Sequence, residues 1–268
     1  MHRKERAMGR PFRQALGVEL VLPSNLDTDS LGTFTGERAR PADAASTCRI
    51  KAEAGMASAG LPLGLASEGS FGPHPAVPLL AVGHEWMTFV DGPQGLVITE
   101  QLLCWRTNFS HCLVGPGEDP AAWLQRVGFP THAVIVRPSG PGGAVAKGLQ
   151  SLEQLTTALQ WAAAHSHDGR VLLETDMRAH LNPTRMASIR RLAFRLARRI
   201  RSRCPACSAP GWGWVDGIPG LPCRWCGEPT PLTRLELHGC GACGHQHPMP
   251  RRDGMVKADP GQCPHCNP

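Results

Sequence analysis

From residue 183 to 202 the apolar positions Met186, Ile189, Ala193, Leu196 and Ile200 step by three and four, and this spacing predicts a helix with one face against a core. Helical patterning also fits residues 3–16, 119–127 and 151–165. A further helix is expected over about 41–58, with Asp43 early in it and Gly60 after its end. Short apolar runs predict strands at 18–23 (VELVLP), 63–67 (LGLAS), 85–91 (EWMTFVD), 95–104 (GLVITEQLLC), 132–137 (HAVIVR) and 170–175 (RVLLET). Strands alternating with helices predict an α/β fold: a layered α/β domain with a mixed or mostly parallel sheet over 1–203. Beyond residue 203 the helical period is lost and a smaller module is expected over 204–268.

Two stretches break the pattern. Residues 25–37 (NLDTDSLGTFTGE) are too rich in glycine, threonine and aspartate for regular structure. In LASEGSFGPHP (65–75) an acid, two glycines, a histidine and two prolines follow a strand, which predicts a stiff loop. The run PSGPGG (138–143) reads as a turn.

The cysteines change the picture most. Four Cys-x-x-Cys pairs lie in the last quarter: Cys204 with Cys207, Cys223 with Cys226, Cys240 with Cys243, and Cys263 with Cys266, separated by 15, 13 and 19 residues. Four such pairs at ribbon spacing predict two four-cysteine metal sites, with Zn²⁺ in a structural role as the default. Iron in a rubredoxin-like site and a disulfide framework are the competing readings. Either neighbouring or alternate pairs share a metal; the spacing leaves both open. His245, His247 and His265 are expected to be surface residues, Trp212, Trp214 and Trp225 to pack around the knuckles, and Cys48, Cys104 and Cys112 to be plain buried thiols.

The formal charge of +6 then means less than it suggests, because each four-thiolate zinc site carries −2 and two of them bring the total to +2. Charge is concentrated locally: nine arginines and no acid lie between Arg178 and Arg203. That face is a candidate for phosphate or nucleic-acid backbone, with a solvated amphipathic helix as the plain alternative. No run reaches the length of a membrane span and the basic opening lacks the apolar core of a secretory signal, so a cytoplasmic protein is expected.

Candidate chemistry gathers at the strand ends. Glu68 follows a strand, with Ser67, Ser70 and His74 beside it. The loop before it offers Asp27, Asp29, Thr33, Thr35 and Glu37. In a parallel pair both loops emerge at one sheet edge, and with Lys51, Arg49 and the Asp176 region nearby they resemble a divalent-metal and phosphate site. The segment ETDMRAHLNPTR adds Asp176, Arg178 and Arg185, with Asn182 as a cap and Pro183 in the first helical turn. Glu37 and Glu68 are the expected ligands of a Mg²⁺-like ion, with His74 or Asp176 orienting water. The P-loop and Gly-x-Ser-x-Gly patterns are absent.

The stretches DTDSLGTFTGE, LASEGSFGPHP, TNFS (107–110), ETDMRAHLNPTRM and the tail ending CPHCNP together resemble the family designated domain of unknown function 6671. The resemblance implies an N-terminal α/β domain with a C-terminal cysteine-rich, zinc-ribbon-like module. It also implies a longer start, since relatives place an apolar strand before the residues matching MHRKE. A weaker similarity is to the inosine triphosphate pyrophosphatase superfamily. By order it matches Lys4 to a phosphate-facing lysine, Glu37 to a first acid and Glu68 to a metal-facing acid. The function these readings imply is divalent-metal-dependent hydrolysis of a phosphorylated or nucleotide substrate beside a structural zinc module. The alternative is a non-enzymatic module binding nucleic acid or protein.

Overall fold

The computed structural model describes residues 3–23, 43–74, 77–140 and 145–268. The candidates Asp27, Asp29, Thr33, Thr35 and Glu37, and residues 141–144 of the glycine-rich turn, lie outside the described residues. The helices are α1 (Glu5–Leu16), α2 (Ala44–Ala59), α3 (Ala121–Val127), α4 (Leu152–Ala164) and α5 (Pro183–Arg201). The strands are β1 (Leu63–His74), β2 (Val77–Asp91), β3 (Leu96–Cys104), β4 (His111–Val114), β5 (Val134–Pro138), β6 (Ala146–Leu149), β7 (Val171–Thr175), β8 (Gly213–Pro219), β9 (Thr233–Gly239) and β10 (Gln246–Pro250). They form three sheets, ordered β1-β2-β3, β4-β7-β5-β6 and β10-β9-β8.

The sheets are antiparallel, not mixed or mostly parallel, so the fold is mixed α/β with a cysteine-rich C-terminal module. The reason is local. Residues 77–84, 111–114 and 146–149 add strands to the expected ones: β1, β2 and β3 are neighbours in sequence order, β5 pairs with β6, and β7, reached through α4, lies antiparallel between β4 and β5. The segment 18–23 is not a strand.

The stretch expected to be a loop is part of β1, which runs unbroken to His74. Its composition suits a sheet edge. Among the described strands it stands at the edge of β1-β2-β3, a place that tolerates a proline such as Pro73. Gly69 is a different case: a Cβ there would lie 2.6 Å from both the Glu85 carboxylate and the Arg185 guanidinium. The glycine makes room for an ion pair.

Packing of the backbone divides the chain into two compact units, Met1–Gly95 with Thr99–Leu196, and Ala197–Pro268 with Leu96–Ile98. In the first, α3 and α4 close over the sheet β4-β7-β5-β6. Val134, Val136, Leu173, Ala162 and Trp123 form that core. α4 is capped by the Ser151 hydroxyl, which accepts from the Gln154 N–H at 3.1 Å. Asp43 caps α2 through the Ala45 and Ser46 N–H groups, and Gly60 ends it in the left-handed region at φ 63°. No described helix is long and apolar enough to cross a membrane.

Candidate functional sites

In the cysteine unit the same short turn recurs. Each Cys-x-x-Cys pair closes with an N–H donated to the carbonyl of its first cysteine: Ser208 to Cys204, Gly227 to Cys223, Gly244 to Cys240 and Asn267 to Cys263, at 2.9–3.1 Å. Three of these closing residues, Ser208, Gly227 and Gly244, sit in the left-handed region. Within the turns the N–H groups of Ala206, Trp225 and Ala242 each point at the first sulfur at 3.4 Å, stabilising a thiolate.

Alternate turns meet. Cys204, Cys207, Cys240 and Cys243 form one group and Cys223, Cys226, Cys263 and Cys266 the other, each with all sulfurs within 4.8 Å of one another. The two groups are therefore interleaved along the chain. Sulfur pairs at 3.8, 3.7, 3.9 and 3.6 Å are far from bonded disulfides. They match the edge of about 3.8 Å of a tetrahedron with metal–sulfur bonds of roughly 2.3 Å. Left to themselves the thiols divide. Cys266 is pushed up to about 12, first by the adjoining Cys226 thiol and then by burial. Backbone N–H groups, that of Cys226 first, draw Cys223 down to about 7. Two groups of four soft ligands with this geometry can each hold a metal ion.

The second site is a chain of charges around β1. Cross-strand partners share a face, so Glu68, opposite Trp86, projects from one face, and Gly69, opposite Glu85, from the other. On the first face Lys51 of α2 pairs with Glu68 at 2.5 Å, both nearly enclosed. On the second, Arg185 of α5 pairs with Glu85 at 2.6 Å, each side chain 1 % exposed. Arg185 also donates to the Met177 carbonyl at 2.5 Å and lies 5.2 Å above the Phe71 ring. Lys4 links the faces: its ammonium donates to the Ser67 carbonyl at 2.7 Å. Burial first, then the Arg185 charge, lowers its pKa to about 8. The Ser67 hydroxyl is buried and has no hydrogen-bond partner among the described residues.

The exit from β7 joins this chain. Asp176 is fully buried and held by Arg178 through a 2.6 Å ion pair and the Arg178 N–H. Asn182 caps α5 as expected, accepting from the Arg185 N–H at 3.0 Å, and donates to Asn108 at 2.9 Å.

Of the sequence-derived candidates the structure therefore gathers Lys4, Lys51, Ser67, Glu68, Asp176, Arg178, Asn182 and Arg185. It does not bring His74 in. Six residues along an extended strand put His74 roughly 20 Å from Glu68, and its ring stacks on Trp105 at 4.9 Å. Ser70 lies on the Glu68 face, two positions further along. The expected parallel pair does not form, because residues 18–23 are not a strand, and the loop 25–37 lies outside the described residues. Among the described residues only the two cysteine groups bring three or more metal-ligating side chains together, and the Glu68 and Asp176 carboxylates are held by Lys51 and Arg178.

Glu85 and Cys48 escaped sequence reading. Glu85 was legible: in EWMTFVD it alternates in phase with Met87 and Phe89, an acid on a core face. Cys48, expected only to be buried, faces the cluster from α2 and reaches the Trp86 carbonyl at 3.6 Å. Burial, then the Glu68 charge, pushes its thiol up to about 12.

A mixed α/β unit followed by an interleaved pair of four-cysteine groups defines the class of protein. The sequence profile of Domain of unknown function (DUF6671) matches residues 51–268, and the chain belongs to that family. No curated protein and no solved structure matches. Similarity to the inosine triphosphate pyrophosphatase superfamily has no support.

Proposed function

We propose that the α/β unit binds a phosphorylated small molecule at the charge cluster on the edge of β1, and that the cysteine unit is a structural module held by two Zn²⁺ ions. The observation that carries the first part is Lys4. Its ammonium is enclosed next to Lys51 and Arg185, with Glu68 and Glu85 already engaged by those two. Among the described residues no carboxylate lies within ion-pair distance of it. An anion at this place relieves the one positive charge that the described residues leave unmatched, and the Ser67 hydroxyl beside it, which has no hydrogen-bond partner among them, is a further donor. Closed four-thiolate sites leave no open coordination position, which favours a structural over a catalytic metal.

A thermal-shift panel of sugar phosphates, nucleotides and pyrophosphate, with and without Mg²⁺ and with phosphate release followed in parallel, tests the reading. Stabilisation by one phosphorylated class, reduced in Lys4→Met, supports binding; release of phosphate in addition makes the protein a hydrolase. A silent panel removes the proposal.

A second reading rests on α5, where Arg190, Arg191 and Arg195 are exposed around the partly exposed ring of Phe194. It makes that face a nucleic-acid contact. Its test is the salt dependence of binding to single- and double-stranded DNA and RNA, with charge reversal at Arg190 and Arg191 as the control.

A further inference from the structure

The face of β1-β2-β3 that carries Glu68 is covered only in part. At one end α2 closes on it so tightly that a Cβ on Gly64 would sit 2.7 Å from the Ala52 carbonyl. At the other, Ser70, His84 and Trp86 are half-exposed and Gln101 is exposed. Trp86 stands directly opposite Glu68, and His84 opposite Ser70. The His84 and Trp86 rings lie 3.7 Å apart at 31°, and the His84 Nε2 is fixed by the Gln101 amide at 2.9 Å.

We propose that Trp86 and His84 form a stacking platform for an aromatic base, so that the ligand of the charge cluster is a nucleotide. This rests on the phosphate reading given above and extends it. Two positions along a strand span about 7 Å. The platform therefore starts beside the Lys51–Glu68 pair and leads away from it, a separation that one ribose bridges. Burial lowers the His84 pKa, so at neutral pH the ring is an uncharged π-face. Stacking on such a surface accepts any base, and the Ser70 hydroxyl and Gln101 amide at its rim supply hydrogen bonds to the base edge.

The experiment is calorimetric titration with the four nucleoside monophosphates, the four nucleosides and ribose 5-phosphate, on the wild type, Trp86→Phe and Trp86→Leu. The best nucleotide is expected to bind about tenfold or more tighter than ribose 5-phosphate, a margin kept by Trp86→Phe and erased by Trp86→Leu. Ribose 5-phosphate binding as tightly as every nucleotide overturns the platform and leaves the phosphate site standing. Equal loss of nucleotide in both variants overturns it as well, because a ring at position 86 then has no special role. Nucleosides that bind through Trp86 while ribose 5-phosphate does not bind uphold the platform and defeat the phosphate reading. Silence of all ligands overturns both.

Discussion

The two units bring charged groups together by opposite routes. In the cysteine unit each half-site is made within four residues, and two half-sites need only meet. Around β1 the groups come from positions 4, 51, 68, 85 and 185, carried by two helices, two strands and the residue that precedes α1. The first arrangement gathers eight thiols into two groups that can each hold an ion, and little besides these turns draws them together. The second exists without a ligand, because most of its charges neutralise each other in place. The two sites differ in the sign of what is left over: a four-thiolate site holding Zn²⁺ keeps a charge of −2, whereas around Lys4 the described residues leave one positive charge unmatched.

Removing the metal is the sharpest way to test that contrast. Chelation is expected to unfold the cysteine unit, read as loss of its dispersed amide signals in an NMR spectrum. The interleaved pairing can be broken separately. Cys207→Ser with Cys240→Ser is expected to leave one ion per chain, and Cys207→Ser with Cys226→Ser none, by mass-spectrometric metal content. Two ions lost in the first case, or one in the second, contradicts the pairing.

In the α/β unit the largest effect belongs to the buried pair. Glu85→Gln leaves Arg185 enclosed without its counter-charge and is expected to cost about 3–5 kcal/mol in urea unfolding. Replacing both residues by methionine is expected to recover much of that loss, since the pair's desolvation penalty disappears with it.

Lys4 is expected to give a smaller, pH-dependent signal. Its pKa falls from 10.5 in the unfolded chain to about 8 in the fold, so between those values the unfolded state binds more protons. Stability then rises with pH across that window. Lys4→Met is expected to be more stable than the wild type at pH 7, with the difference shrinking as pH climbs through 8 toward 10; a constant difference contradicts the burial of a charged Lys4. The smallest effect sets the scale. Glu53→Ala removes the exposed i,i+4 partner of Arg49 on α2, and a change of no more than about 0.5 kcal/mol is expected.

How legible each region was follows from the same contrast. The metal groups could be read from spacing because their geometry is local; the pairing could not, because it depends on how the turns come together in space. The five α-helices of the described residues were visible in the apolar period and in residues such as Asp43 and Asn182 at their starts. The sheet direction was misread because VPLLAVGH, with its proline and glycine, does not look like a strand, yet it supplies β1's partner. LASEGSFGPHP misled for a related reason. Its glycine at 69 serves a side-chain pair across the strand, a long-range demand that local composition presents as a turn. Candidates chosen as polar residues next to predicted strands were mostly gathered, whereas His74 was not, since an extended chain carries it away.

On the proposed reading Lys4 holds, for a phosphorylated ligand, a positive charge that no described carboxylate matches. Calorimetric titration with pyrophosphate at pH 7 and pH 9.5, on the wild type and Lys4→Met, tests it most directly. Wild-type affinity is expected to fall several-fold as pH rises through the Lys4 titration, and the variant to bind more weakly with little pH dependence. Equal affinities for the two proteins at both pH values would contradict it.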